Sequence, residues 1–145
     1  KLALKDGIIP IVCLGETKAE REHDETMTVI ERTIRTVFAD LSPLFAERVI
    51  VAYEPCWAIG VGVTPTTGDI LQVKVFLRKL FAELYDSALA ERIAVIYGGS
   101  VKAAFPSSVS WEAEMSGVLV GKESLYPREL VKMMLEAEAY YSRLS

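Results

Sequence analysis

Apolar residues fall along this chain in two alternating rhythms. Four short, nearly unbroken runs, at residues 8–14, 49–53, 93–97 and 117–121, have the pattern of strands buried on both faces. Between them the spacing changes to that of helices. Met27, Ile30, Ile34, Val37, Phe38 and Leu41 form one stripe, and Ile70, Val73, Phe76, Leu77, Leu80, Phe81 and Leu84 form another. A weaker helical stretch over 101–109 carries Pro106 and several serines. A last helix begins at Pro127, where proline costs no hydrogen bond, with Leu130, Met134, Ala137 and Tyr141 on its apolar face. Residues 1–7 read as the end of a helix stopped by Gly7, so further chain is expected upstream of Lys1. Residues 18–24 read as a charged helical turn or loop, and Ser42-Pro43 ends the first long helix.

The resulting order, βαβαβαβα, predicts an α/β fold with a parallel sheet covered by helices, organised as a single unit over 1–145. Every unusual residue then follows a strand: Gly15-Glu16, Glu54, Gly98-Gly99-Ser100 and Gly121-Lys122. In a parallel sheet all those ends lie on one rim, where α/β proteins place their sites. The central stretch carries most of this chemistry. Pro55 cannot extend the ladder and forces Glu54 into an extended conformation at the strand end. The following residues are too apolar and glycine-rich for a solvated connector and read as a movable lid. Thr66 is a candidate helix N-cap three residues before Asp69.

Composition narrows the function classes. The 145 residues are 51% hydrophobic and carry a net charge of −4 with no basic cluster, which argues against a nucleic-acid face. No apolar run approaches the roughly 18 residues of a membrane span, and no secretory leader opens the chain. Cys13 and Cys56 are too few for a disulfide framework and are expected as reduced thiols in a cytoplasmic protein. His23, the single histidine, sits among charged residues as a surface group, so neither a metal site nor a Ser-His-Asp arrangement is available.

Glycine-rich turns after strands let backbone N–H groups approach an anion. Ser100, Gly121, Lys122 and the Gly60 and Gly62 amides are candidates to converge on one phosphate; each turn taken singly also reads as a plain tight turn. Glu54 beside an apolar lid is a candidate general base, against the alternative of a solvated strand-end glutamate.

Ala-Tyr-Glu-Pro-Cys-Trp-Ala-Ile-Gly-Val-Gly at 52–62, Tyr-Gly-Gly-Ser-Val at 97–101 and Gly-Val-Leu-Val-Gly at 117–121 resemble three signature stretches of the triosephosphate isomerase family. Pro-Ile-Val-Cys-Leu-Gly-Glu at 10–16 resembles a fourth, and all four stand in the family's order over essentially the whole chain. The resemblance implies half of a (β/α)8 TIM barrel, the carboxyl-terminal four βα units. It further implies interconversion of dihydroxyacetone phosphate and glyceraldehyde 3-phosphate through an enediolate, without a cofactor. Glu54 then matches the base. Pro55, Cys56, Trp57, Ala58, Ile59, Gly62, Val63 and Thr64 match the lid. Gly60, Ser100, Gly121 and Lys122 match donors to the substrate phosphate, and Glu16 matches a structural carboxylate.

Three departures bear on this expectation. Val63 stands where the lid's far hinge usually carries a lysine, with Pro65 just beyond. Lys122 replaces a usual glycine. The chain also has only four βα units, and the family's substrate-binding lysine and electrophilic histidine belong to the other half. Four parallel strands cannot close a barrel, so the sheet edges at 8–14 and 117–121 are expected to be covered by a second copy or by the amino-terminal half, or else the sheet rearranges. The alternative to a catalytic half is a self-assembling or phosphate-binding module derived from the enzyme.

Overall fold

The computed structural model describes residues 1–59, 64–100 and 113–142. Three strands, β1 (Ile11–Leu14), β2 (Ile50–Tyr53) and β3 (Val95–Tyr97), form a parallel sheet in the order β1-β2-β3. The register pairs Ile11 with Ile50, Leu14 with Tyr53, Val51 with Val95 and Tyr53 with Tyr97. A bridge from Tyr97 to Val118 continues the sheet in the same direction. It rests on hydrogen bonds from Tyr97 N to Gly117 O and from Leu119 N to Tyr97 O. The fourth strand expected at 117–121 is therefore a single bridge rather than a ladder.

Helices α1 (Leu2–Lys5), α2 (Lys18–Glu22), α3 (Thr26–Phe38), α4 (Pro43–Ala46), α5 (Thr67–Leu84), α6 (Ser87–Arg92) and α7 (Pro127–Tyr141) complete the described elements, with short 3-10 turns at Cys56–Ala58 and Lys122–Leu125. The two long stripes appear as α3 and α5, and Gly7 sits just past α1 at φ +80, a value that glycine adopts without strain. Ser42-Pro43 does not simply end a helix. Proline occupies the first turn of α4, a one-turn helix that the sequence pattern did not separate from its surroundings. Helix α6 was likewise unforeseen; Asp86 caps it by accepting from Leu89 N at 2.7 Å. The helical stretch expected over 101–109 lies outside the described residues.

The core lies between the helices and one face of the sheet. Along each strand alternate side chains point to opposite faces. Leu14, Val51, Tyr53, Val95 and Tyr97 pack in the core with Ile30, Ile34, Phe38, Ile70, Leu77 and Phe81. Phe38 of α3 and Phe81 of α5 meet with ring centroids 5.0 Å apart. The opposite face carries Ile11, Cys13, Ile50, Ala52 and Ile96, of which Ala52 is fully buried and Ile11 exposed. β2 is buried as expected, but β1 is not: its start is Ile11, which is 49% exposed, and Ile8 and Ile9 before it are each 58% exposed. The run at 8–14 thus resolves into an exposed lead-in and an edge strand. The apolar face of α7 is also turned from its expected position. Met133 is its buried residue, while Val131, Met134, Leu135 and Tyr141 remain exposed.

No helix among the described residues is long and apolar enough to cross a membrane. Truncating the buried Phe81 to alanine is expected to cost about 3–5 kcal/mol, read as a lowered urea midpoint. Leu44→Ala, at a position 73% exposed, should stay within about 0.5 kcal/mol.

Candidate functional site

The parallel sheet brings Gly15-Glu16, Glu54 and Gly98-Gly99-Ser100 to one rim. The connections are direct: Glu54 N donates to Leu14 O at 2.7 Å, Cys56 N to Glu16 O at 2.9 Å and Gly98 N to Tyr53 O at 2.9 Å. Glu54 leaves the sheet between two glycines, and both are needed for space. A Cβ on Gly15 would overlap the Glu54 carbonyl and come within 2.8 Å of Pro55 N. A Cβ on Gly98 would lie 2.5 Å from both Cγ and Oε1 of Glu54. The carboxylate therefore lies against the bare backbone of Gly98, half-buried at the strand end. From β1 the Cys13 thiol faces this carboxylate. Burial, followed by the charge of that carboxylate, pushes the thiol's pKa up. Both Cys13 and Cys56 are free thiols on the exposed surface.

Next to Glu54 on the chain, the 3-10 turn Cys56–Ala58 is held down by a buried anion. Glu16 is fully buried. Its carboxylate accepts from Trp57 Nε1 at 2.7 Å and from Tyr53 Oη at 3.2 and 3.3 Å, and Arg21 Nη1 stands 3.4 Å away. A buried charge is tolerable only with such partners. The Tyr53 phenol, desolvated and beside this carboxylate, is pushed far above its ordinary value. Glu16 thus ties the turn after Glu54 to the end of β1. Tyr97, whose ring centroid lies 6.4 Å from that of Tyr53, carries a buried hydroxyl that burial pushes up to about 12.

Thr66 caps α5 as expected, in a reciprocal box: Asp69 N donates to Thr66 Oγ1 at 3.2 Å and Thr66 N to Asp69 Oδ2 at 2.8 Å. Arg21, which sequence reasoning passed over as part of a charged turn, pairs with the same Asp69 through Nη2 at 3.0 Å. Burial works against the charges of both residues, and the Thr66 and Arg21 bonds outweigh it, so the Asp69 carboxyl is held below its ordinary 3.8. A cavity of about 280 Å³ opens beside the pair, lined by Asp24, Met27 and Gln72 among others, and Glu54 is not in its wall.

Of the remaining candidates, Ser100 reaches the rim, and its hydroxyl donates to Ala58 O at 2.6 Å, tying the third strand end to the turn after Glu54. Pro55 and Ala58 are buried, Trp57 and Thr64 half-buried, and Cys56 and Ile59 exposed. Gly121 and Lys122 follow the Val118 bridge and are both exposed. Gly60, Gly62 and Val63 lie outside the described residues. His23 is exposed, with Nδ1 2.8 Å from Ala19 O, and the described residues contain no cluster able to hold a metal ion.

The family model for triosephosphate isomerase matches residues 1–137. Among curated proteins, the chain is 41% identical over 134 residues to a triosephosphate isomerase of Endomicrobium trichonymphae, covering 92% of this chain and 53% of that one. A triosephosphate isomerase of Acidithiobacillus ferrooxidans is 39% identical over 140 residues, covering 96% and 54%. One of Cupriavidus necator is 43% identical over 123 residues, covering 85% and 50%. The chain spans about half the length of the curated relatives it matches.

The lowered Asp69 pKa gives a pH dependence with a definite sign. Its contribution to stability is fully present above 3.8 and is lost as pH falls through the depressed value. Asp69→Asn is therefore expected to flatten the acid limb of a plot of Tm against pH below that point.

Proposed function

Because the chain belongs to the triosephosphate isomerase family, we propose that it carries the base and the phosphate-binding rim for interconverting dihydroxyacetone phosphate and glyceraldehyde 3-phosphate. The observation that supports this most is the placement of Glu54. It stands at a strand end between two glycines, its carboxylate against open backbone and next to a turn anchored from below. In this reading Glu54 takes a proton from one substrate carbon and returns it to the neighbour through an enediolate.

Backbone amides at Gly60, Ser100, Gly121 and Lys122 hold the phosphate, with the Lys122 ammonium adding charge. Pro55, Cys56, Trp57, Ala58, Ile59, Gly62, Val63 and Thr64 form the lid that excludes water during transfer. The exposure of Gly121 and Lys122 and the position of Ser100 on the rim favour this assignment.

Proton abstraction alone does not make an efficient isomerase, since the negative charge developing on the carbonyl oxygen needs a donor. The only histidine here, His23, is exposed beside α2 and bonded to its own helix backbone. We therefore assign the electrophile and the substrate-binding lysine to an amino-terminal half. That half would lie along the exposed residues Ile8, Ile9 and Ile11 and the apolar side of α7. The same exposed faces favour a second copy in its absence. On this reading the chain acts in the cytoplasm as part of a completed barrel and turns over little by itself.

Two measurements check this. With the amino-terminal half of a relative supplied, Glu54→Gln should lower kcat by about 10²–10⁴-fold; turnover equal to the parent would exclude Glu54 as the base. Light scattering on the isolated chain should give a mass of two or more copies of 16.0 kDa, and a folded monomer would contradict the open-edge argument.

A further inference from the structure

Arg21 touches three groups that belong to three different parts of the rim. Its guanidinium carbon lies 4.5 Å from the centroid of the Trp57 ring. Its Nη1 is 3.4 Å from Glu16 Oε1, just past β1, and its Nη2 is 3.0 Å from Asp69 Oδ1, in the first turn of α5. Trp57 is thereby held on two sides, by Glu16 through its indole N–H and by Arg21 across its face. Asp69 is held on two sides as well, by Thr66 and by Arg21.

We propose that Arg21 is a positioning residue that clasps the turn after Glu54 to the start of α5, and so fixes the direction in which the chain leaves the candidate base. This rests on the assignment of Glu54 above. The chemistry of the side chain fits the task. A planar guanidinium presents a face to an indole and, at its edge, a fork to two carboxylates, and one residue does all three at once. The turn and the helix cap are then one mechanical unit: Trp57 cannot swing away from Glu16 without uncovering Arg21, and Arg21 cannot follow it without leaving Asp69. The simpler role, neutralising the buried Glu16 charge, needs only a cation near Oε1. Lysine would serve that role and could not serve the clasp, because it has no plane to stack and no fork.

The test reads Trp57 rather than turnover. In the full chain carrying Trp111→Phe, one indole N–H signal remains, and its hydrogen exchange reports the fixation of Trp57. Arg21→Lys is expected to speed that exchange by about tenfold, the scale of a partly desolvated cation–π contact. Asp69→Asn, which removes the charge that anchors Nη2, should change it in the same direction. Unchanged exchange in either variant, with the circular dichroism spectrum of the parent retained, overturns the clasp. Should Arg21→Lys fail to fold, the Asp69→Asn result decides alone. Failure of the Glu54 assignment would appear only in the turnover of Glu54→Gln and would leave the indole result as it stands.

Discussion

The arrangement depends on β2 being hydrogen-bonded on both sides by strands running the same way. That double pairing fixes the height of Glu54 relative to Leu14 on one side and Gly98 on the other, through bonds of 2.7 and 2.9 Å from Glu54 N to Leu14 O and from Gly98 N to Tyr53 O. Neighbouring strands in a sheet lie about 4.8 Å apart, so a side chain on a central strand end has little lateral room. Here the room comes from glycine on both flanks, with Gly15 against the Glu54 backbone and Gly98 against its side chain. The strand ladder and the two glycines together hold the carboxylate at the rim, half-buried at the strand end.

Below the turn that follows, polar groups are used unlike those of an ordinary core. A fully buried glutamate is costly unless its oxygens are satisfied. Glu16 is satisfied by an indole, a phenol and a guanidinium, each reaching it from a separate segment. The network constrains geometry more than it contributes net stability, since an apolar cluster of similar size would do as well for folding. What it provides is a defined place for Trp57, three residues after Glu54.

Much of this was legible in the chain. The period of α3 and α5, the Thr66–Asp69 cap, the buried character of β2 and the convergence of unusual residues on one rim all follow from local pattern, because those features depend on neighbours close in sequence or on a strand covered from both sides. The misreadings have a common cause. Ile8, Ile9 and Ile11 look like core from their composition, yet they lie at the sheet edge and are exposed among the described residues. The expected fourth strand is reduced to the Tyr97–Val118 bridge. Arg21 was passed over because its partners, at positions 16, 57 and 69, are assembled only by the tertiary fold. Helices α4 and α6 are too short for a period to show, although the Asp86 cap was there to be read.

Among the described residues the sheet contains no hairpin, and each strand pairs with one roughly forty residues away in sequence, Ile11 with Ile50 and Val51 with Val95. Closing loops of that size costs chain entropy before any ladder bond returns it, so assembly of this sheet is intrinsically slow. During synthesis, residues 8–14 leave the ribosome long before either β2 or β3 exists. Until β2 is made, the aliphatic stretch at 8–14 lacks the strand it pairs with in this sheet, so Ile11 and its neighbours lack that cover during biogenesis.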